Sequence, residues 1–282
     1  MNDKTDAAEA DRALKQEHRA MWAQGDYPAL ASELVSDLGA ILVDACGIRP
    51  RQRVLDVAAG AGNAAIPAAM MNAEVIASDL TPEMFDDGRR QAADRGVELE
   101  WKEGDAEALP FADNEFDAVM SCQGVMFAPH HQAGADELVR VCKPGGTIGL
   151  LSWTPEGFIG QMFATMKPFA PPPPPGAQPP TLWGSEEHVR ELFGGRLSDV
   201  KAEKRTVAIR SFHHPEDFLH YFKSHYGPTI SVYKFLGDDE DKVSALDKAL
   251  TELADTYLEA HGDATAQMEW EYLLLTAKKA RA

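Results

Sequence analysis

The pattern of apolar and polar positions changes character at residue 53. Before it, residues 5–46 are dominated by Ala, Leu, Glu, Lys and Gln and read as two helices parted by Tyr27-Pro28. After it, short apolar runs alternate with helical stretches. The runs 54–57, 74–78, 97–101, 116–122 and 147–153 read as five strands. A helix over 62–71 follows the first strand. After the second, Thr81-Pro82-Glu83 opens a helix with an N-cap hydroxyl and a proline in its first turn. A helix around 132–142 ends at Lys143-Pro144-Gly145-Gly146, a proline–glycine stop. Strands alternating with helices over about 100 residues predict βαβ units and a doubly wound, mostly parallel α/β sheet.

Residues 154–185 leave this rhythm. Pro171–Pro175 is an unbroken run, followed by Pro179-Pro180, and favours an extended conformation packed on the protein surface. Beyond it the pattern predicts a helix at 185–194, a strand at 199–210, helices at 215–226 and 240–260, and a last strand over 268–277. Aromatic residues are dense between the fifth and final strands, and ten of them stand out: Phe158, Phe163, Phe169, Trp183, Phe212, Phe218, Tyr221, Phe222, Tyr226 and Tyr233. Two roles stay open for them: lining a pocket for a flat apolar acceptor, or forming a core of their own.

Composition narrows the function classes. The 282 residues are 44% apolar and 26% charged, values of a soluble globular chain. The formal charge is −18, with 13 basic and 26 acidic side chains in residues 1–150 against 14 and 19 in the rest. That balance argues against a nucleic-acid groove and against an anionic membrane surface, both of which need clustered cations. Three cysteines without CxxC spacing fit reduced thiols and a cytoplasmic location, with no metal site. The polar, acidic N-terminus does not read as a signal peptide, and no apolar run has the length of a membrane span.

The strongest chemical signal is Val54-Leu55-Asp56-Val57-Ala58-Ala59-Gly60-Ala61-Gly62-Asn63. A strand runs into a turn with two glycines and then into a helix, so backbone can approach a ligand without a Cβ between them. Asp56, inside the strand, would oppose a pyrophosphate, which disfavours a dinucleotide and an NAD-dependent oxidoreductase. Asp79 ends the next strand and can accept from both hydroxyls of a ribose.

With these motifs in order, residues 50–153 resemble the class I S-adenosylmethionine (SAM)-dependent methyltransferases, in the small-molecule branch that includes menaquinone- and ubiquinone-biosynthesis enzymes. VLDVAAGAGN is similar to that family's glycine motif, SDLTPEM to its ribose-binding strand end, EGDAEALPFADNEFD to its third motif, and RVCKPGGTIGLLSW to its fifth strand. The resemblance implies SAM as cofactor, held by Asp56, Ala58, Gly60, Gly62, Asp79, Leu80, Asp105, Ala106 and Gln123. Asp79 would take the ribose, Leu80 would lie beside the adenine, Asp105 would accept from its amino group, and Ala106 would offer its amide. Ala59 stands where glycine or cysteine is more usual.

The resemblance also implies a seven-stranded sheet within one domain over 1–282. Its parts are an N-terminal helical cover (1–49), a SAM-binding core (50–153), lid and substrate elements (154–198 and 211–265) and final strands (199–210 and 266–279). The expected reaction is methylation of a small apolar or aromatic metabolite. His130 and His131, on the loop after the fourth strand, are the candidate bases, since an acceptor proton must leave and histidine titrates near neutrality. His213, His214 and His225 also read as able to face the pocket. Trp22 and Tyr27 suit a cover that excludes water. A homodimer and a SAM-binding regulatory protein without turnover stay open.

Overall fold

The expected strands assemble in an order that chain sequence alone does not dictate. The structure, a computed structural model, describes residues 2–259 and 267–281. Its strands are β1 (Arg53–Val57), β2 (Glu74–Asp79), β3 (Glu100–Glu103), β4 (Phe116–Cys122), β5 (Cys142–Trp153), β6 (Leu197–Ile209) and β7 (Met268–Lys279). They form one sheet in the order β3-β2-β1-β4-β5-β7-β6. The pairs from β3 to β5 are parallel, and β7 runs antiparallel to both its neighbours. Central strands covered on both faces read as unbroken apolar runs, and Val54–Val57 is accordingly buried throughout. The outermost strand β6 instead carries Lys201, Glu203, Lys204 and Arg205, charges that discourage edge-to-edge pairing.

Eleven helices surround the sheet among the described residues. They are α1 (Asn2–Trp22), α2 (Tyr27–Leu34), α3 (Leu38–Cys46), α4 (Ala65–Met70), α5 (Phe85–Asp94), α6 (His131–Val141), α7 (Phe158–Met166), α8 (Glu186–Phe193), α9 (Pro215–His225), α10 (Gly227–Leu236) and α11 (Glu240–Glu259). None is long and apolar enough to cross a membrane.

Several expected boundaries shift, each for a local reason. Tyr27-Pro28 opens α2, because Asp26 Oδ1 accepts the Ala29 amide at 3.1 Å as an N-cap and Pro28 fits the first turn. The N-terminal segment therefore holds three helices, not two. Val97 donates to Ala92 O at 3.0 Å, which keeps it in the turn after α5 and delays β3 to Glu100. Thr81 precedes a short 3-10 turn, and its hydroxyl makes no cap bond. Lys143-Pro144-Gly145-Gly146 lies within β5 as an irregularity, since Phe116 pairs with Cys142 but Ala118 with Thr147. Gly145 supplies the positive φ of +78° there. The additional helix α10 was not anticipated. The expected bounds at 265 and 266 lie outside the described residues.

Most of the C-terminal aromatics form a core. Phe158 stacks on Trp270 with centroids 5.3 Å apart, and Phe218 meets Phe158 edge-on at 4.9 Å. The proline run has no regular structure and is tied down where the Gln178 amide donates to Pro129 O at 3.0 Å.

Candidate functional site

The carboxyl ends of parallel strands are where an open α/β sheet presents ligand-binding loops. Here they line a cavity of about 360 Å³. The turn after β1 forms its floor. Ala58 and Gly60 take positive φ values of +54° and +55°. A Cβ at Gly60 would meet only Met84 Sδ at 3.6 Å, so the space beside it belongs to the cavity. The turn after β4 packs against it so tightly that a Cβ at Gly124 would come within 2.1 Å of Ala58 O.

Asp79 ties the ends of β1 and β2 together. Its Oδ2 accepts the Gly60 amide and its Oδ1 the Thr81 amide, both at 2.8 Å. Burial raises its pKa above the ordinary carboxylate range, and the two amide bonds work against that shift. Each oxygen keeps a lone pair for a further donor from the cavity it lines.

Leu80, Asp105, Ala106, Gln123 and Ala58 also line the cavity, as expected. Asp105 Oδ1 accepts from the Glu107 amide at 2.9 Å and from Lys15 Nζ at 3.2 Å. Gln123 has a φ of +60°, and its amide donates to Leu151 O at 2.7 Å. Its side-chain Nε2 is buried with no partner among the described residues, an orphaned donor at the cavity wall. Two expected ligand residues are not on that wall. Asp56 lies beneath the turn, 1% exposed, and its carboxylate faces the Ala65 amide at the start of α4, with no side-chain partner among the described residues. Burial, with Asp79 acting in the same direction, pushes its carboxyl up to about 8. Gly62, at φ +88°, faces the protein, where a Cβ would strike the Trp101 ring at 2.7 Å.

The expected bases are elsewhere too. His131 is fully buried on α6, its Nδ1 2.9 Å from His188 Nε2 and its ring beside Trp183. Burial, reinforced by His188, lowers its pKa to about 4. His130 is held by Glu107, which accepts its amide at 2.7 Å and faces its Nδ1 at 3.0 Å. Glu107 is also paired with Lys15 at 2.5 Å. Neither histidine lines the cavity: α6 carries the His131 ring into the core, and Glu107 holds His130. His213, His214 and His225 are also absent from its wall, and His225 stacks on Tyr221 instead.

Besides Trp22, which the sequence placed in the cover, the N-terminal helix supplies two residues that the sequence did not assign, Lys15 and His18. Lys15, His18 and Trp22 recur at three- and four-residue spacing, so one face of α1 roofs the cavity. Lys15 bridges Asp105 and Glu107, and Arg19 reaches Glu83 at 2.8 Å and Glu103 at 3.0 Å. His18 has its pKa lowered by burial, with Lys15 adding to the effect. Trp22 packs edge-on against Phe127 at 4.7 Å. Their spacing was visible in the sequence, but not what that helix face would meet. Away from the Asp105 end, the wall is apolar and aromatic, with Phe127, Trp153, Ile159, Phe222 and Tyr226. Of the ten C-terminal aromatics, only Phe222 and Tyr226 reach it.

Residues 54–146 match the model of a methyltransferase domain family. An uncharacterized protein of Mycobacterium tuberculosis is 50% identical over 272 residues, 96% of this chain and 97% of its own length. A demethylmenaquinone methyltransferase of Renibacterium salmoninarum is 43% identical over 108 residues, 38% of this chain and 44% of that protein. Among solved structures, the YcgJ protein of Bacillus subtilis superposes with a TM-score of 0.59 at 20% identity, over 86% of this chain and 98% of that one.

Proposed function

This chain belongs to the class I SAM-dependent methyltransferases, and from that premise we propose that its cavity binds SAM across the strand ends and presents the methyl group to a small apolar or aromatic acceptor. The observation that carries the reading is the position of Asp79, an acid on the cavity wall whose other lone pairs fasten the glycine turn. Bound SAM would supply a methyl group on a sulfonium, the sulfur keeping the bonding pair as an acceptor lone pair forms the new bond.

The protein's own contribution is placement. Asp79 accepts from the ribose hydroxyls. Leu80 and Ala106 flank the adenine, and Asp105, steadied by Lys15, accepts from its amino group. Ala58, Gly60 and the free Gln123 amide hold the methionine part. Asp56 supports the turn from below and touches no ligand. Trp22, Phe127, Phe222 and Tyr226 shape the acceptor's compartment and keep water out, so alignment supplies most of the rate.

Calorimetric titration with SAM, with S-adenosylhomocysteine and NADH as comparisons, tests this. Micromolar binding of both adenosyl ligands but not of NADH is the expected result. Absence of SAM binding to folded protein would overturn it.

A further inference from the structure

Resting on that SAM assignment, we propose that the acceptor is an acidic hydroxy compound, a phenol or an enol, taken up as its anion and held through oxygen by the Tyr226 hydroxyl with Tyr27 beside it. Tyr226 is 8% exposed and lies on the cavity wall. Its ring sits 5.2 Å from Phe222 and 6.3 Å from each of Tyr27 and Phe163. No described residue hydrogen-bonds its hydroxyl, whereas Tyr27 Oη accepts the Gly227 amide at 3.2 Å and keeps its own proton to donate. The hydroxyl is not sealed in the protein, so it opens on the cavity that Tyr226 lines. A group entering the cavity is the available partner.

Burial drives both phenols well above their ordinary range, so each remains a donor and neither serves as a base. The Cys122 thiol on the same wall is pushed up in the same way. The remaining titratable groups of the cavity are engaged or lie elsewhere. Asp79 holds two amides, and Asp105 is paired with Lys15. His18 sits among Lys15, Asp105 and Glu107, at the adenine end. Arg95 lies on the α5 side of the cavity.

With no base among the described residues of the acceptor compartment, the acceptor's proton must already be gone on arrival. That condition selects acidic hydroxyls over aliphatic alcohols. The two donors distinguish oxygen from nitrogen. A tyrosine that donates to an amine ties up the one lone pair the amine needs for attack. An oxygen anion accepts a hydrogen bond and still has pairs to spare. The positive charge of bound SAM would balance the anion within the apolar walls.

The test uses 4-nitrophenol, whose anion absorbs visibly, added to protein saturated with sinefungin, a cationic SAM analogue that cannot transfer a methyl group. The bound probe should be the phenolate, with its apparent pKa lowered by at least one unit relative to free probe. Tyr226→Phe should weaken its binding about tenfold while sinefungin affinity holds. Binding as the neutral phenol, equal binding of 4-nitroaniline, or no saturable binding to a sinefungin-loaded protein would overturn the proposal. So would loss of the phenolate signal in His18→Gln with Tyr226→Phe unaffected. If Tyr226→Phe fails to fold, the wild-type spectrum alone still decides between anion and phenol. Failure to bind sinefungin or SAM would instead remove the cofactor assignment beneath it.

Discussion

Asp79 Oδ2 accepts the amide of Gly60 at 2.8 Å, so a side chain at the end of β2 fixes the backbone turn that follows β1. The residue proposed to read the ribose is thus the same one that holds the turn in its left-handed conformation. Ligand binding and turn geometry are not separable at this carboxylate.

Asp79→Ala is therefore expected to weaken SAM by roughly 2–4 kcal/mol, the loss of two charge-assisted hydrogen bonds with some water compensation. Calorimetry gives the number directly. Asp79→Asn, which keeps one acceptor oxygen, should lie between the variant and the parent. Unchanged affinity in both would remove the ribose assignment.

The two glycines of the turn should fail in different ways. Gly62→Ala forces a Cβ toward Trp101 at 2.7 Å in a left-handed backbone, and is expected to cost roughly 1–3 kcal/mol of stability. A thermal melt should record this. Gly60→Ala meets only Met84 Sδ, so its stability loss is expected to be about 1 kcal/mol or less, while its methyl enters the cavity and weakens SAM about tenfold. Equal melting losses without a binding difference would contradict the separation.

Lys15 is the hinge pin of the roof. Burial pushes the Glu107 carboxyl up, but its bonds to Lys15 and His130 outweigh this and hold it below the ordinary range. A depressed carboxyl stabilises above its unfolded pKa, and that contribution fades as pH falls through the folded value. Lys15→Met should loosen α1 by about 1–3 kcal/mol, leaving Asp105 and Glu107 facing each other. Faster hydrogen exchange over residues 11–22 and weaker SAM binding are the expected readouts.

Asp56 predicts a pH dependence of the opposite sign. Its folded pKa, near 8, exceeds the unfolded value, so the folded chain holds a proton that the unfolded chain releases. Its stabilising effect is complete below the unfolded pKa and is lost as pH rises toward 8, by up to about 1.4 kcal/mol per pH unit. Asp56→Asn removes this dependence. The melting temperature of the variant, relative to the parent, should rise between pH 5 and 8; parallel curves would show that Asp56 is ionised when folded.

The sheet and the cavity wall at the strand ends were legible because both depend on local pattern. Apolar runs mark strands buried on both faces, and a glycine turn followed by a strand-end acid is readable without any tertiary information. Asp79, Leu80, Asp105 and Gln123 accordingly lie where expected. What escaped depends on the direction a side chain takes. His130 and His131 sit on the right loop, yet α6 starts at His131 and carries that ring into the core. Gly62 looked like a ligand glycine and is one that makes room for Trp101. Lys15 and His18 were visible as residues, but their partners lie 90 or so positions away, which helical periodicity cannot report.

β7 follows β6 in the chain but lies between β5 and β6. During synthesis on a ribosome, the strands that carry the glycine turn emerge first, and the half-sheet from β3 to β5 has every partner but one by residue 153. β5 must then wait, with one apolar edge unpaired, until residues 268–279 arrive. Vectorial folding would leave that edge open over more than a hundred residues of elongation, so the nascent chain is most exposed to strand-pairing errors and chaperone capture in that interval.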